Sequence, residues 1–256
     1  MKQLFLLALL TVVTAPALRA QEYKTRFANR QDRRLILEMR GSDVVVEAYD
    51  GDELLIRGGS YEAPPKRAEG LRPVYQAAED NTRQGLAVSS EGNTLRVQQV
   101  SRKEATYTVR VPRNTSLTFR EATWSGSNLT ASNLTGSVEL AMKTGNATLA
   151  GITGPVVANS TSGNLTLQLT TGAQGPTAVS LISGTLDVTL PAATKATVSL
   201  RSMTGEVYTD FDLSPQRTPD GLARVGGQTI TVPLNGGGPK MMLNTISGNI
   251  FLRKAK

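Results

Sequence analysis

Ser162-Gly163-Asn164-Leu165-Thr166-Leu167 is the stretch whose reading decides the fold, because it returns as Thr144-Gly145-Asn146-Ala147-Thr148-Leu149 and as Ser247-Gly248-Asn249-Ile250-Phe251-Leu252. Outward from it, glycines preceded by Ser or Thr recur at Gly126, Gly145, Gly163, Gly184, Gly205 and Gly248. The intervals are 19, 18, 21, 21 and 43 residues, so the last reads as about two periods. Two and four residues after the glycines come Ala147 and Leu149, Leu165 and Leu167, Leu186 and Val188, Val207 and Thr209, Ile250 and Leu252. Seven and five residues before them come Val138 and Leu140, Val156 and Ala158, Thr177 and Val179, Val198 and Leu200, Met241 and Leu243. The positions between are mostly polar, and alternation with period two marks a strand with one buried face.

Each repeat therefore reads as strand, Ser/Thr-Gly turn, strand, with glycine supplying backbone freedom at the corner. One repeat of about 20 residues cannot cover its own apolar stripe, so repeats must stack. About four inward side chains per coil, at roughly 1.5–3 kcal/mol each, favour the array over isolated hairpins. Residues 122–210 are rich in Thr, Ser, Gly and Val, which disfavours helix. The expected fold is all-β, a single-stranded, parallel β-helix-like β-solenoid.

The first half differs in charge. Residues 21–121 hold 17 basic and 15 acidic side chains, and residues 122–256 only 9 and 6. Strands are still legible at Leu35 to Met39, Val44 to Tyr49, Leu54 to Arg57, Leu95 to Val100 and Thr106 to Val111, with Asp50-Gly51 as a hairpin or solenoid-corner signal. This half reads as an N-terminal β cap (21–121) carrying a loop insertion (60–84) with Pro64, Pro65 and Pro73. The repeat coils (122–256) are interrupted at 210–240, and 21–256 is taken as one domain.

Residues 1–20 are read as a secretory signal peptide. Lys2 precedes an apolar run from Leu4 to Val13, small residues follow at Ala15, Ala17 and Ala20, and cleavage is placed after Ala20, although Ala15-Pro16-Ala17 fits the small-residue rule better. The run is too short for a membrane anchor. The protein is thus expected to be exported, to the periplasm or to the cell surface and beyond. Removing Lys2 and Arg19 lowers the formal charge from +7 to +5. That mild basicity suits anionic glycans or lipid headgroups, and a solvated surface explains it equally well.

There is no Cys and no His. Disulfides, thiolate nucleophiles, a Ser-His-Asp triad and imidazole metal sites are all excluded. Asp43, Glu47, Asp50, Asp52 and Glu53 form an acidic cluster without calcium-loop spacing, and are expected to be solvated turn carboxylates. Outward Asp187 and Glu206 are candidates for a carboxylate pair on neighbouring coils. Lys195 and Arg201 are the bases a polysaccharide lyase would use, but no basic–acidic constellation repeats at coil spacing. Gly236-Gly237-Gly238-Pro239-Lys240 lacks the Ser/Thr and helix start of a phosphate loop and reads as a turn. Asn-x-Ser/Thr sequons beginning at Asn114, Asn128, Asn133, Asn146, Asn159 and Asn164 follow from turn composition. Interleaved charges and a single Trp fit nucleic-acid binding poorly.

The repeat, together with Gly41-Ser42-Asp43-Val44-Val45-Val46, Asp50-Gly51-Asp52-Glu53-Leu54 and the run from Gly237 into Leu243-Asn244-Thr245-Ile246-Ser247-Gly248, resembles a bacterial family of exported envelope proteins known as putative adhesins or β-strand repeat proteins. The resemblance spans nearly all of residues 21–256. It implies fold and compartment, and offers no catalytic residues.

The expected function is non-catalytic: an adhesin-like binding or scaffold protein of the cell envelope. It would use a flat polar face of Asn146, Thr148, Asn164, Thr166, Thr185 and Asp187, with an envelope glycan or envelope protein as partner. No enzyme activity, metal or cofactor is expected. The alternatives are a polysaccharide lyase-like enzyme and a structural, stress-associated envelope component without a soluble ligand.

Overall fold

The structure, a computed structural model, describes residues 22–59, 65–71, 78–170, 174–213 and 229–255. The expected signal peptide (1–20) lies outside them, as do 60–64 and 72–77 of the expected insertion and 214–228 of the expected interruption.

Where Val, Leu and Thr alternate between glycine corners, strands form. They are Glu22–Arg26 (β1), Arg34–Met39 (β2), Asp43–Tyr49 (β3), Glu53–Gly58 (β4), Leu86–Glu91 (β5), Thr94–Gln99 (β6), Thr106–Pro112 (β7) and Ser116–Glu121 (β8). Leu129–Ser132 (β9), Val138–Met142 (β10), Ala147–Ala150 (β11), Val156–Ser160 (β12), Leu165–Gln168 (β13) and Thr177–Ser183 (β14) follow. Leu186–Leu190 (β15), Ala196–Ser202 (β16), Val207–Thr209 (β17), Ile230–Leu234 (β18), Lys240–Ser247 (β19) and Ile250–Lys254 (β20) complete the set. The described residues contain no α-helix, only a 3-10 turn at Lys66–Ala68.

The strands form two ten-stranded sheets, between which the chain passes at nearly every corner. The first runs β1-β4-β7-β3-β9-β11-β13-β15-β20-β17 and the second β18-β16-β19-β14-β12-β10-β8-β2-β6-β5. In the middle, pairing is parallel between strands one repeat apart: Leu149 lies opposite Leu167, Leu167 opposite Val188, and Leu140 opposite Ala158. Inward rows of both sheets merge into one continuous apolar core.

Two departures from the expected fold stand out. First, the sheets are mixed, because antiparallel strands close the ends: β1 and β4 beside β7, β5 beside β6, and β18 beside β16. The architecture is therefore two large mixed sheets, parallel in the middle and antiparallel at the ends. An end coil has no further coil to stack on, and local hairpins cover its open edge.

Second, chain order is exchanged at both ends. β6 and β7 lie outside β2 and β3, and the last pair, β19 and β20, is inserted between β14/β15 and β16/β17. The 43-residue interval is thus one direct stacking step taken backwards, with Gly205 against Gly248, and not two periods. As the short edge strand β17 has a neighbour on one side only, Val207 is half-buried and Thr209 exposed, although both were expected to face inward. Within the interruption, β18 adds an edge strand where Pro233, lacking an N–H, is tolerated.

Glycine has a steric role in the corner column. A Cβ on Gly163, Gly184, Gly248 or Gly205 would lie 1.9–2.3 Å from the carbonyl oxygen of the glycine stacked beside it.

Candidate functional site: two outer faces of unlike chemistry

The outer face of the first sheet carries the expected polar residues, and most are tied to the fold. Just after Gly126, Gly145, Gly163 and Gly248, an asparagine side chain accepts a hydrogen bond from a backbone N–H of a neighbouring coil. Asn128 N and Nδ2 donate to Asp43 Oδ1 at 2.9 Å. Asn146 N and Nδ2 donate to Asn128 Oδ1 at 2.9 and 3.1 Å. Asn164 N donates to Asn146 Oδ1, and Thr185 N to Asn164 Oδ1, each at 2.9 Å. Edge-on carbonyls thus satisfy the corner amides. Asn146, Asn164 and Thr185 are brought together as one row whose contacts are internal.

The row two residues on stands outward. Thr130, Thr148, Thr166, Asp187, Phe251 and Tyr208 lie side by side on successive strands. At about 4.8 Å per strand, it runs about 24 Å from Thr130 to Tyr208. Tyr208 and Phe251 stack with centroids 5.1 Å apart. Arg253 makes two hydrogen bonds to Asp187, at 3.0 and 3.1 Å, and lies 5.0 Å over the Phe251 ring. The sequence reading missed this aromatic end, because it appears only once β20 is inserted between β15 and β17. The same insertion separates Asp187 from Glu206, which do not sit on neighbouring coils.

The acidic cluster stays at the surface, with the Asp50, Glu47 and Asp52 side chains 82%, 50% and 48% exposed, but its carboxylates are also paired with arginines. Asp50 bonds Arg113 (2.6 Å), Asp52 bonds Arg30 (2.6 Å) and Arg33 (2.7 Å), Glu53 bonds Arg26 (2.8 Å), and Glu47 lies 3.9 Å from Arg110. The cap's own arginines reach these carboxylates. Hydrogen bonding to Arg113 holds the Asp50 carboxyl below its ordinary 3.8, and hydrogen bonding to Arg33 does the same for Asp52. Among the described residues no group of three or more acidic side chains is placed to hold a metal ion. Gly236 and Gly237 form a turn, with Gly237 N bonded to Leu234 O at 3.0 Å.

The second sheet's outer face is of another kind. A shallow groove of about 610 Å³ crosses its strands, from Arg120 on β8 to Arg201 on β16. Its floor includes Ile182, Ile246 and Met203, adjacent on β14, β19 and the end of β16 and each about half exposed. Lys143 lines it and stands 5.5 Å over the ring of Trp124, which is 64% exposed. Glu121, the one acidic side chain of the lining, is buried and accepts hydrogen bonds from the backbone N–H groups of Ser127, Lys143, Thr144 and Gly145. Its charge is spent on the corner. The sequence carried one signal of this groove: outward-register apolar residues at Ile182 and, 21 residues on, Met203.

No helix among the described residues is long and apolar enough to cross a membrane. No known family model and no curated protein matches the chain. The chain is similar to solved structures, among them two that it covers almost end to end. One is described as a putative cell adhesion protein from Clostridium sporogenes, 10% identical, with a TM-score of 0.44 over 93% of this chain and all of that one. The other, a putative adhesin from Bacteroides fragilis, is 14% identical, with a TM-score of 0.44 over 94% of this chain and 99% of that one.

Proposed function

We propose that this chain is an exported, non-catalytic, adhesin-like protein of the cell envelope, in which a β-solenoid with exchanged end coils serves as a rigid display scaffold. Its ligand-facing row is Thr148, Thr166 and Asp187, extended by Thr130 and by the Phe251–Tyr208 pair. One observation carries this reading: hydroxyls, a carboxylate–guanidinium pair and aromatic rings stand in line at a constant strand spacing of about 4.8 Å. Such a row meets an extended polymer, such as an envelope glycan, through many weak contacts repeated along its length. Asn146, Asn164 and Thr185 position the row from the corners. A non-catalytic role agrees with carboxylates that are engaged by arginines or by backbone amides.

The test is a glycan array together with envelope pull-downs. The protein is expected to retain an extended glycan or an envelope protein. Thr148→Val with Thr166→Val, which removes hydroxyls at nearly constant volume, is expected to reduce that retention at least tenfold with an unchanged melting profile. Silence in both assays removes the reading.

A further inference from the structure

Six of the eight large apolar side chains exposed among the described residues stand on or beside one sheet face, three of them, Ile182, Ile246 and Met203, side by side. Val157, Ile182, Met203, Met242 and Ile246 stand on the outer face of the second sheet, and Trp124 stands at its corner. Scattered exposed apolar residues need no explanation, whereas a contiguous group marks an interaction surface. The charges around it are one-sided. Arg120, Arg201 and Lys143 line the groove, neither arginine is ion-paired among the described residues, and the only lining carboxylate is the buried Glu121, while Glu38, opposite Arg120 on the next strand, is engaged by Arg96 and Gln98. Glu139 lies beside Val157 in register but does not line the groove.

We propose that this groove docks the protein onto an anionic phospholipid surface, with Ile182, Ile246 and Met203 entering the acyl boundary and Arg120, Arg201 and Lys143 meeting phosphates. Three observations select this occupant. The strands under the groove are hydrogen-bonded to neighbours on both sides, so no guest strand can add there, and recognition falls to side chains. A second copy presenting the same face would set like charges against each other, which disfavours self-association through it. The combination of basic heads, aliphatic floor and an exposed tryptophan at the rim matches the layered chemistry of a lipid–water boundary.

Trp124 is the sole tryptophan of the chain and stands beside the groove, so its fluorescence reads docking directly. The full-length chain is titrated with vesicles of phosphatidylglycerol and phosphatidylcholine, and separately with phosphatidylcholine alone. The N-terminal apolar stretch is common to every sample and carries no tryptophan. The expected result is a blue shift with the anionic vesicles only, weakened by added salt. Arg120→Gln and Arg201→Gln should each weaken it about fivefold. Ile182→Ser with Ile246→Ser should abolish it, with circular dichroism unchanged. Arg67→Gln removes the same charge elsewhere and should leave the titration as it was. The proposal is overturned by an absent shift, by an equal shift with neutral vesicles, or by a shift that survives the double serine variant. It is overturned equally by a shift that appears with protein concentration alone, which reveals a second copy, or by one that an acidic amphipathic peptide produces and vesicles do not.

Discussion

An alanine Cβ built at Gly184 would lie 2.0 Å from the carbonyl oxygen of Gly163, at a backbone φ of +118°. Gly92 has a positive φ as well, but open space around it. Gly184→Ala is therefore expected to cost about 1–3 kcal/mol more than Gly92→Ala, measured by urea unfolding, because it must force two coils apart. Protonation tests a second set of residues. Asp50 and Asp52 have carboxyl pKa values below their ordinary 3.8, so their contribution to stability is present above about pH 4 and is lost as pH falls through the lower folded values. Asp52→Asn should flatten part of the acid limb of the stability–pH curve, costing stability at neutral pH and progressively less as pH falls below about 4. At the alkaline end, burial and then the charge of Asp80 push the Tyr107 phenol up to about 12. Its folded value is raised, so that stability is complete below pH 10 and declines as pH rises toward 12. Tyr107→Phe, which loses the 2.8 Å hydrogen bond to Gln84 O, should cost about 1 kcal/mol near neutrality and remove that alkaline decline.

At the scale of the strand, inward rows were legible because burial imposes a strict period of two. Leu149, Leu167, Val188 and Leu252 all fall where alternation placed them. Leu167→Asp sets a charge into that dry row and should abolish cooperative unfolding at room temperature, as seen by a lost near-ultraviolet signal. The asparagines were legible only as outward polar residues. Their work as rungs depends on edge-on geometry that alternation does not encode. Asn146→Ala deprives Asn164 N of its acceptor and is expected to cost about 1–2 kcal/mol in chemical denaturation, whereas Asn159→Ala, for which no rung is seen, should cost less than about 0.5. The same rung explains the recurrent Asn-x-Thr triplets at Asn128, Asn146 and Asn164: the asparagine bridges coils, and the threonine two residues on faces outward.

For the whole molecule, the repeat specifies what each coil can stack on, and every interior coil offers nearly the same partner: a glycine corner, a bridging amide and two aliphatic rows. Such equivalence explains why the order of the end coils was not legible. Nothing in the motif at 247–252 says that it belongs beside Leu186 as well as beside Val207. Both outer faces owe their composition to that choice, since Phe251 completes the aromatic pair and Ile246 joins Ile182 to Met203. Removing residues 240–256 should therefore do more than trim an end. The shortened chain is expected to lose its single cooperative transition, and limited proteolysis should cut 196–209 first.

A growing polypeptide meets this wedge in time as well as in space. The β16–β17 segment emerges before β19–β20, yet its resting place lies on the far side of them. Early arrivals must wait, or dock wrongly on β14–β15 and then be displaced. Final closure is thereby postponed until residues 240–254 are free, so refolding should show a slow late phase that a circular permutant beginning at the closing segment would shorten.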